Sequence, residues 1–403
     1  MCGLLSLALL CGACSGAPPR LRVRLDVGPL TAPFDTPVHV TLAGLPPSGL
    51  VTLDARTTDD QDRAWVSSAE YRATASGTLN LSTAVPVAGR YHVADAAGLL
   101  WSLHPAYPTS PAAQYIPEPT GFSVTMRVLV GGQVQAAATL RREETTPASI
   151  QTVRRDDFAS ALFVPPKVRP GAPAVVVIGG SEGGEPTLAA DALALTGYPA
   201  LALGYFQEPG LPQCLCAIPL EYFARAVGWL RAQPVARGRR VVLVGGSRGA
   251  EAALLIASYE PHLFDAIVAI SPSATIHAAF GGPGEAWTFD GKPLTTGAPI
   301  PVANIRIPVL LSDGGQDEVW PSATSASVIM LELRGYGDRA PYINLYYPGA
   351  GHAAAGAVPY FPWSDIGSHG AVHGGSEQAN ALAAEQFWTK MINFINNPSV
   401  PLT

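Results

Sequence analysis

Charge, sulfur and long apolar runs are all scarce in this chain. Only 14% of its 403 residues are charged, and the formal net charge is -6. With no Lys/Arg-rich run, that balance excludes a nucleic-acid binder. Of the 5 cysteines, Cys2, Cys11 and Cys14 sit at the N-terminus, leaving Cys214 and Cys216 for the folded body. Two cysteines at i, i+2 make neither a zinc site nor an easy bridge, so they read as loop residues without a disulfide framework. His39, His92 and His104 lack metal-ligand spacing. No segment beyond the N-terminus is apolar enough to span a bilayer, and no repeat recurs at solenoid spacing.

What the chain has in plenty is apolar and turn-forming residues: 48% hydrophobic, with 41 glycines and 38 prolines. That is a core-rich globular protein, long enough for two domains. Leu4 to Leu10 form a short apolar run that fits a signal-peptide h-region, and the small residues before Cys14 resemble a bacterial lipoprotein cleavage box. Residues 1–19 are therefore expected to be a leader, with Cys14 lipidated and the protein exported and tethered to the cell envelope. A cytoplasmic protein with a ragged N-terminus is the competing reading.

Residues 20–150 carry short alternating strands, such as Val38 to Leu42, Val51 to Ala55 and Phe122 to Val130, spaced by turn residues like Leu45-Pro46-Pro47-Ser48-Gly49. The spacing predicts an all-β, immunoglobulin-like sandwich with no catalytic residues. From residue 151 to 403 buried-type strands alternate with amphipathic helices, which predicts a mostly parallel sheet flanked by helices, the α/β-hydrolase class.

The chemistry gathers around Val241-Val242-Leu243-Val244-Gly245-Gly246-Ser247-Arg248-Gly249-Ala250-Glu251. A β-branched run flows into Gly-x-Ser-x-Gly and then into an Ala/Leu-rich helix, the context of a nucleophile elbow. The outer glycines avoid a Cβ collision in so tight a turn. Ser247 is then the nucleophile, and the Arg248 amide faces any oxyanion. A second donor is expected among the amides of Gly180, Ser181 and Glu182, in the glycine-rich loop after Ala174-Val175-Val176-Val177-Ile178. That loop lacks the phosphate-binding glycine patterns.

Further on, Ser312-Asp313-Gly314-Gly315-Gln316-Asp317-Glu318 ends a strand in a loop bearing acids. Asp317 is favoured as the acid that holds the catalytic histidine, over Asp313 at the strand tip and Glu318. His352 follows Pro348-Gly349-Ala350-Gly351 and is favoured as the base, with His369 and His373 as rivals. The order Ser247, Asp317, His352 is that of α/β-hydrolases.

Taken together, Gly44-Leu45-Pro46-Pro47, Trp65-Val66-Ser67-Ser68-Ala69, Gly246-Ser247-Arg248-Gly249-Ala250-Glu251, Gln316-Asp317-Glu318-Val319-Trp320-Pro321-Ser322 and Tyr347-Pro348-Gly349-Ala350-Gly351-His352 resemble the acyl-CoA thioesterase / bile acid-CoA:amino acid N-acyltransferase family, as a bacterial-type member. The resemblance implies a Ser-Asp-His enzyme that hydrolyses fatty acyl-CoA through an acyl-enzyme, needing neither a metal nor an organic cofactor. Conjugating members carry cysteine at the elbow, so Ser247 implies water as acceptor. An exported carboxylesterase or peptidase, an acyl-CoA:amino acid N-acyltransferase and a non-catalytic surface protein remain as alternatives. Binding a polyanionic CoA would call on local cations, with Arg248 and Arg225 as candidates; each equally suits a structural ion-pair partner.

Overall fold

A computed structural model gives the structure of the protein. It describes residues 22–107, 115–118, 121–144, 149–154, 158–335, 340–352, 356, 358–362 and 372–399. The leader with Cys14, and His369, lie outside the described residues.

Residues up to Glu143 form two sheets. Arg24–Gly28, His39–Ala43 and Thr78–Asn80 make a three-stranded antiparallel sheet. The larger sheet is built on Leu50–Thr58, Ala64–Arg72, Gly121–Val130 and Gln133–Glu143, with the short Thr31–Pro33 strand added in parallel to the last of these. Strand Leu50–Thr58 alternates buried and outward residues, as a half-buried strand must. Val51, Leu53 and Ala55 face a core shared with Val40, Leu42 and Leu79 of the smaller sheet.

An eight-stranded sheet follows. Its strands are β1 (Ile150–Arg154), β2 (Ala159–Phe163), β3 (Ala174–Ile178), β4 (Ala200–Gly204), β5 (Val241–Gly246), β6 (Ala266–Ile270), β7 (Val309–Gly314) and β8 (Tyr342–Tyr347). The spatial order is β1-β2-β4-β3-β5-β6-β7-β8. The first two strands are antiparallel, and the six from β4 onward in that order run parallel. This is an α/β-hydrolase sheet, with β5 central.

Because β3, β5 and β6 are buried on both faces, they read as continuous apolar runs. Alternate residues serve different layers. Val241 and Leu243 face a core formed with helices α2 (Glu221–Ala232), α3 (Arg248–Tyr259) and α4 (Ser322–Gly335). Val242 and Val244 face the other core, with α1 (Thr187–Leu195) and α5 (Glu377–Asn396). That second core is continuous with the β part of the chain. Trp388 of α5 donates its indole N–H to Asp35 at 3.1 Å, and Phe361 packs edge-on against Phe34 and Phe122. Arg90 pairs with Glu377 at the same junction.

One expectation is overturned. Cys214 and Cys216 are joined in a disulfide, their Cα atoms 5.3 Å apart. An i, i+2 pair is too far apart on an extended chain, but here the Cys216 N–H donates to the Cys214 carbonyl at 2.9 Å. That tight turn brings the Cα atoms into the usual bridging range.

Candidate active site

Ser247 stands between β5 and α3 with φ 55° and ψ -119°, a strained backbone that an L-residue keeps only where its surroundings over-determine it. Two glycines do that. A Cβ at Gly245 would lie 2.3 Å from the Gly249 carbonyl oxygen, and one at Gly249 would lie 2.5 Å from the Gly179 oxygen. At Gly246 it would meet nothing, so the motif needs its outer glycines and not the middle one. The Ser247 N–H is fixed by the Ile270 carbonyl at the tip of β6, 2.9 Å away.

The structure brings the three residues singled out in the sequence into one chain of contacts. His352 Nε2 is 2.9 Å from Ser247 Oγ, and His352 Nδ1 is 2.8 Å from Asp317 Oδ2. The other oxygen of Asp317 accepts the backbone N–H groups of Val319 and Trp320 at 2.9 and 3.1 Å, which aims its partner at the imidazole. The His352 loop is pinned from beneath: buried Asn380 on α5 accepts from the Gly351 N–H at 2.8 Å and donates to the Gly374 carbonyl at 3.1 Å. The His352 N–H in turn donates to the His373 carbonyl at 2.7 Å.

The rivals stand elsewhere. Asp313 lies within β7 and is buried; burial pushes its pKa up to about 6, with the Asp317 charge adding and an Asn344 hydrogen bond opposing. Glu318 takes no part in the Asp317–His352 pairing. The His373 ring lies 5.9 Å from that of His352.

The expected oxyanion region divides. The Arg248 amide opens α3 beside Ser247, where helix-terminal N–H groups are unpaired. The Gly180 N–H, however, already donates to Glu182 Oε1 at 2.6 Å. The Ser181 N–H has no partner among the described residues. Fully buried Tyr205 donates to the Gly179 and Gly180 carbonyls at 2.8 and 3.2 Å and so holds this loop by its backbone.

Of the two roles open to Arg248 in the sequence, CoA-binding cation and structural ion-pair partner, the structure shows the second. The side chain is buried, with its guanidinium on the carbonyls of Ala278 and His277 at 2.9 and 3.3 Å and its Nε 3.2 Å from Glu251. Burial lowers its pKa, with Glu251 opposing. A guanidinium so engaged offers nothing to a CoA phosphate. Arg225 rests its guanidinium over the Tyr222 ring.

Sequence reasoning missed the surroundings of this group. Glu251 is wholly buried and accepts from the Trp287 indole at 2.7 Å and from both the N–H and Nδ1 of His277 at 3.0 Å. The signal was present: Glu251 is the lone acid in the apolar helix that follows the elbow, and a buried charge requires partners. Trp320 closes the cluster. Its ring stacks on His277 with centroids 4.7 Å apart and meets His352 edge-on at 4.9 Å. No group of His, Cys, Asp and Glu that could hold a metal occurs among the described residues.

Residues 35–155 match the family region described as acyl-CoA thioester hydrolase/BAAT N-terminal region. Residues 218–280 and 289–399 match BAAT/acyl-CoA thioester hydrolase C terminal. The chain belongs to the acyl-CoA thioester hydrolase/BAAT family. The matched C-terminal segments contain Ser247, Asp317 and His352. As a family member built on an α/β-hydrolase sheet, the chain is a hydrolase. Similar curated proteins include acyl-coenzyme A thioesterase 2, mitochondrial, of Mus musculus, 30% identical over 90% of this chain and 86% of the relative. Acyl-coenzyme A thioesterase 1 of Rattus norvegicus is 29% identical over 90% of this chain and 93% of its own. Among solved structures, dienelactone hydrolase from Anabaena variabilis is 17% identical at a TM-score of 0.36, covering 60% of this chain and 98% of its own.

Proposed function

We propose that this family member is a serine acyl-CoA thioesterase, hydrolysing fatty acyl-CoA to a free fatty acid and CoA. The observation that carries the reading is the unbroken contact chain from Ser247 Oγ through both nitrogens of His352 to Asp317. His352 takes the Ser247 proton as Oγ attacks the acyl carbonyl. Asp317, accepting from Nδ1, stabilises the imidazolium that forms. The oxyanion faces the Arg248 amide and the glycine loop, where the Ser181 N–H is the donor left open. The C–S bond breaks as His352 passes that proton to the departing sulfur, so CoA leaves as the thiol and the imidazole is neutral again. A water that gives its proton to His352 then attacks the acyl-enzyme, and Ser247 is released with the fatty acid.

Export and lipidation at Cys14 are the location we propose. Labelling with a radioactive fatty acid should mark the wild type and not Cys14→Ser; an unprocessed protein would refute it.

The function is tested by presenting a panel of acyl-CoAs of graded chain length, with p-nitrophenyl esters alongside and glycine or taurine as competing acceptors. Release of free CoA from the longer acyl-CoAs, without amide product, is the expected result. Brisk ester cleavage with every acyl-CoA ignored would replace the reading by a carboxylesterase.

A further inference from the structure

Beside the triad stands a second histidine held by a second carboxylate, and the reaction just described makes no use of it. His277 follows β6 by a few residues, in a segment whose backbone meets Arg248 and Glu251 in the first turn of α3. Its Nδ1 lies 3.0 Å from Glu251 Oε2, and its own N–H donates to Glu251 Oε1 at 3.0 Å. Glu251 is wholly buried, and Arg248 Nε stands 3.2 Å from the same Oε2. The carboxylate charge is therefore already balanced by the guanidinium. In the tautomer that donates Nδ1–H to that carboxylate, Nε2 carries a lone pair.

A histidine that only fills space has its ring buried or both nitrogens engaged. His277 has neither: its side chain is 35% exposed, and Nε2 bonds to nothing among the described residues. Its ring is fixed in orientation by the Trp320 stack, 4.7 Å between centroids with planes 20° apart. The other neighbour of that indole is His352, 4.9 Å away. A partly exposed imidazole with an unengaged Nε2 thus stands one indole ring from the catalytic imidazole.

We propose that His277 Nε2 binds the leaving group, accepting a hydrogen bond from the first amide N–H of a pantetheine-type thiol arm. The inference rests on the thioesterase reading of the site. With the carbonyl carbon at Ser247 Oγ, the departing sulfur lies on the His352 side, because that imidazole serves the leaving group. An arm leaving past His352 crosses the Trp320 ring and reaches His277. The first amide nitrogen of pantetheine comes a few bonds after the sulfur, and the two ring contacts, 4.9 and 4.7 Å between centroids, set the span that the arm has to cover. The diphosphate of CoA is far further along and is beyond this reach. With Nδ1–H committed to Glu251, Nε2 in that tautomer accepts from an N–H donor.

The test compares thioesters that share one acyl chain and differ in the thiol: CoA, N-acetylcysteamine, which keeps just that amide, and propanethiol, which lacks it. In the wild type the N-acetylcysteamine thioester should be preferred to the S-propyl thioester. In His277→Ala that ratio of kcat/KM should fall roughly tenfold, the worth of one neutral hydrogen bond, with most of the change in KM. His277→Phe keeps a ring on Trp320 without an acceptor and should show the same loss of preference, which guards against a folding defect in the alanine variant. An unaltered ratio in both variants, including an equal loss on all three thioesters, overturns the proposal and leaves His277 a support for Trp320. A wild type that cleaves esters but none of the thioesters overturns the thioesterase reading, and this inference with it.

Discussion

Glu182 Oε1 accepts the Gly180 N–H at 2.6 Å, so the first of the three amides expected to face the oxyanion is occupied by its own neighbour two residues on. A Cβ built on Gly180 would lie 2.8 Å from Glu182 Oε2 and 2.9 Å from the Ser247 Cβ, which puts a carboxylate close to the nucleophile. Negative charge there opposes a developing oxyanion. Glu182→Gln keeps an acceptor for Gly180 and removes the charge, and should raise kcat by a few-fold, on the order of 0.5–1 kcal/mol for a partly solvated site. A clear fall in single-turnover rate would mean that the carboxylate takes part in the reaction.

Ser247→Ala should leave at most about a thousandth of the wild-type kcat with an unchanged unfolding midpoint, since the hydroxyl projects from the sheet. A fluorophosphonate probe should label the wild type and not the variant. Residual turnover near wild type in pure variant protein would remove Ser247 from the mechanism.

Asp317→Asn and His352→Ala should each lose about a hundredfold or more in kcat, far more than Asp313→Asn or His373→Ala. The ground is contact: Asp317 and His352 are 2.8 Å apart, whereas the His373 ring stands 5.9 Å from that of His352. Steady-state kinetics on the four variants decides it.

Asp313→Asn should act on stability as a function of pH. Burial raises this carboxyl from its ordinary 3.8 to about 6. A raised folded-state pKa contributes stability that is complete below about pH 4 and is lost as pH rises through about 6. Removing the charge should therefore raise the Tm of the variant above wild type at pH 8, with the gap closing towards pH 4. A gap of constant size across that range would show that Asp313 is not the titrating group.

Gly249→Ala should lower Tm by at least several degrees or prevent soluble expression, because the new Cβ would sit 2.5 and 2.8 Å from the Gly179 and Ile178 carbonyl oxygens. Overpacking of this kind costs about 1–3 kcal/mol. Gly246→Ala, with open space at its Cβ, should fold as the wild type does, and circular dichroism melts of the pair test the contrast.

By itself the sequence determined what is local or strictly periodic. The short β-branched apolar runs at Ala174 to Ile178, Val241 to Val244 and Ala266 to Ile270 read as strands buried on both faces, and each is one. Gly245-Gly246-Ser247-Arg248-Gly249 marks its own turn in part: the collision that forbids a side chain at Gly245 is with Gly249, four residues on, whereas the one at Gly249 is with the distant Gly179 and Ile178 carbonyls. Chain order and glycine-loop context were enough to prefer Asp317 and His352 over Asp313 and His373, because a side chain at a strand tip and one in the following loop differ in reach.

Tertiary structure alone decided whatever depends on partners distant in the chain. The cysteine pair closes because a single backbone turn folds Cys216 back on Cys214, a choice that composition does not encode. In the sequence Arg248 is a candidate cation for CoA or an ion-pair partner, and nothing there marks Glu251 as that partner. They are buried because the 277–287 segment folds over them and brings the carbonyls of His277 and Ala278 and the indole of Trp287. Burying that pair without those partners would be far costlier than leaving it in water. His277 likewise gains its orientation from Glu251, 26 residues earlier, and from Trp320, two residues that no sequence window holds together with it.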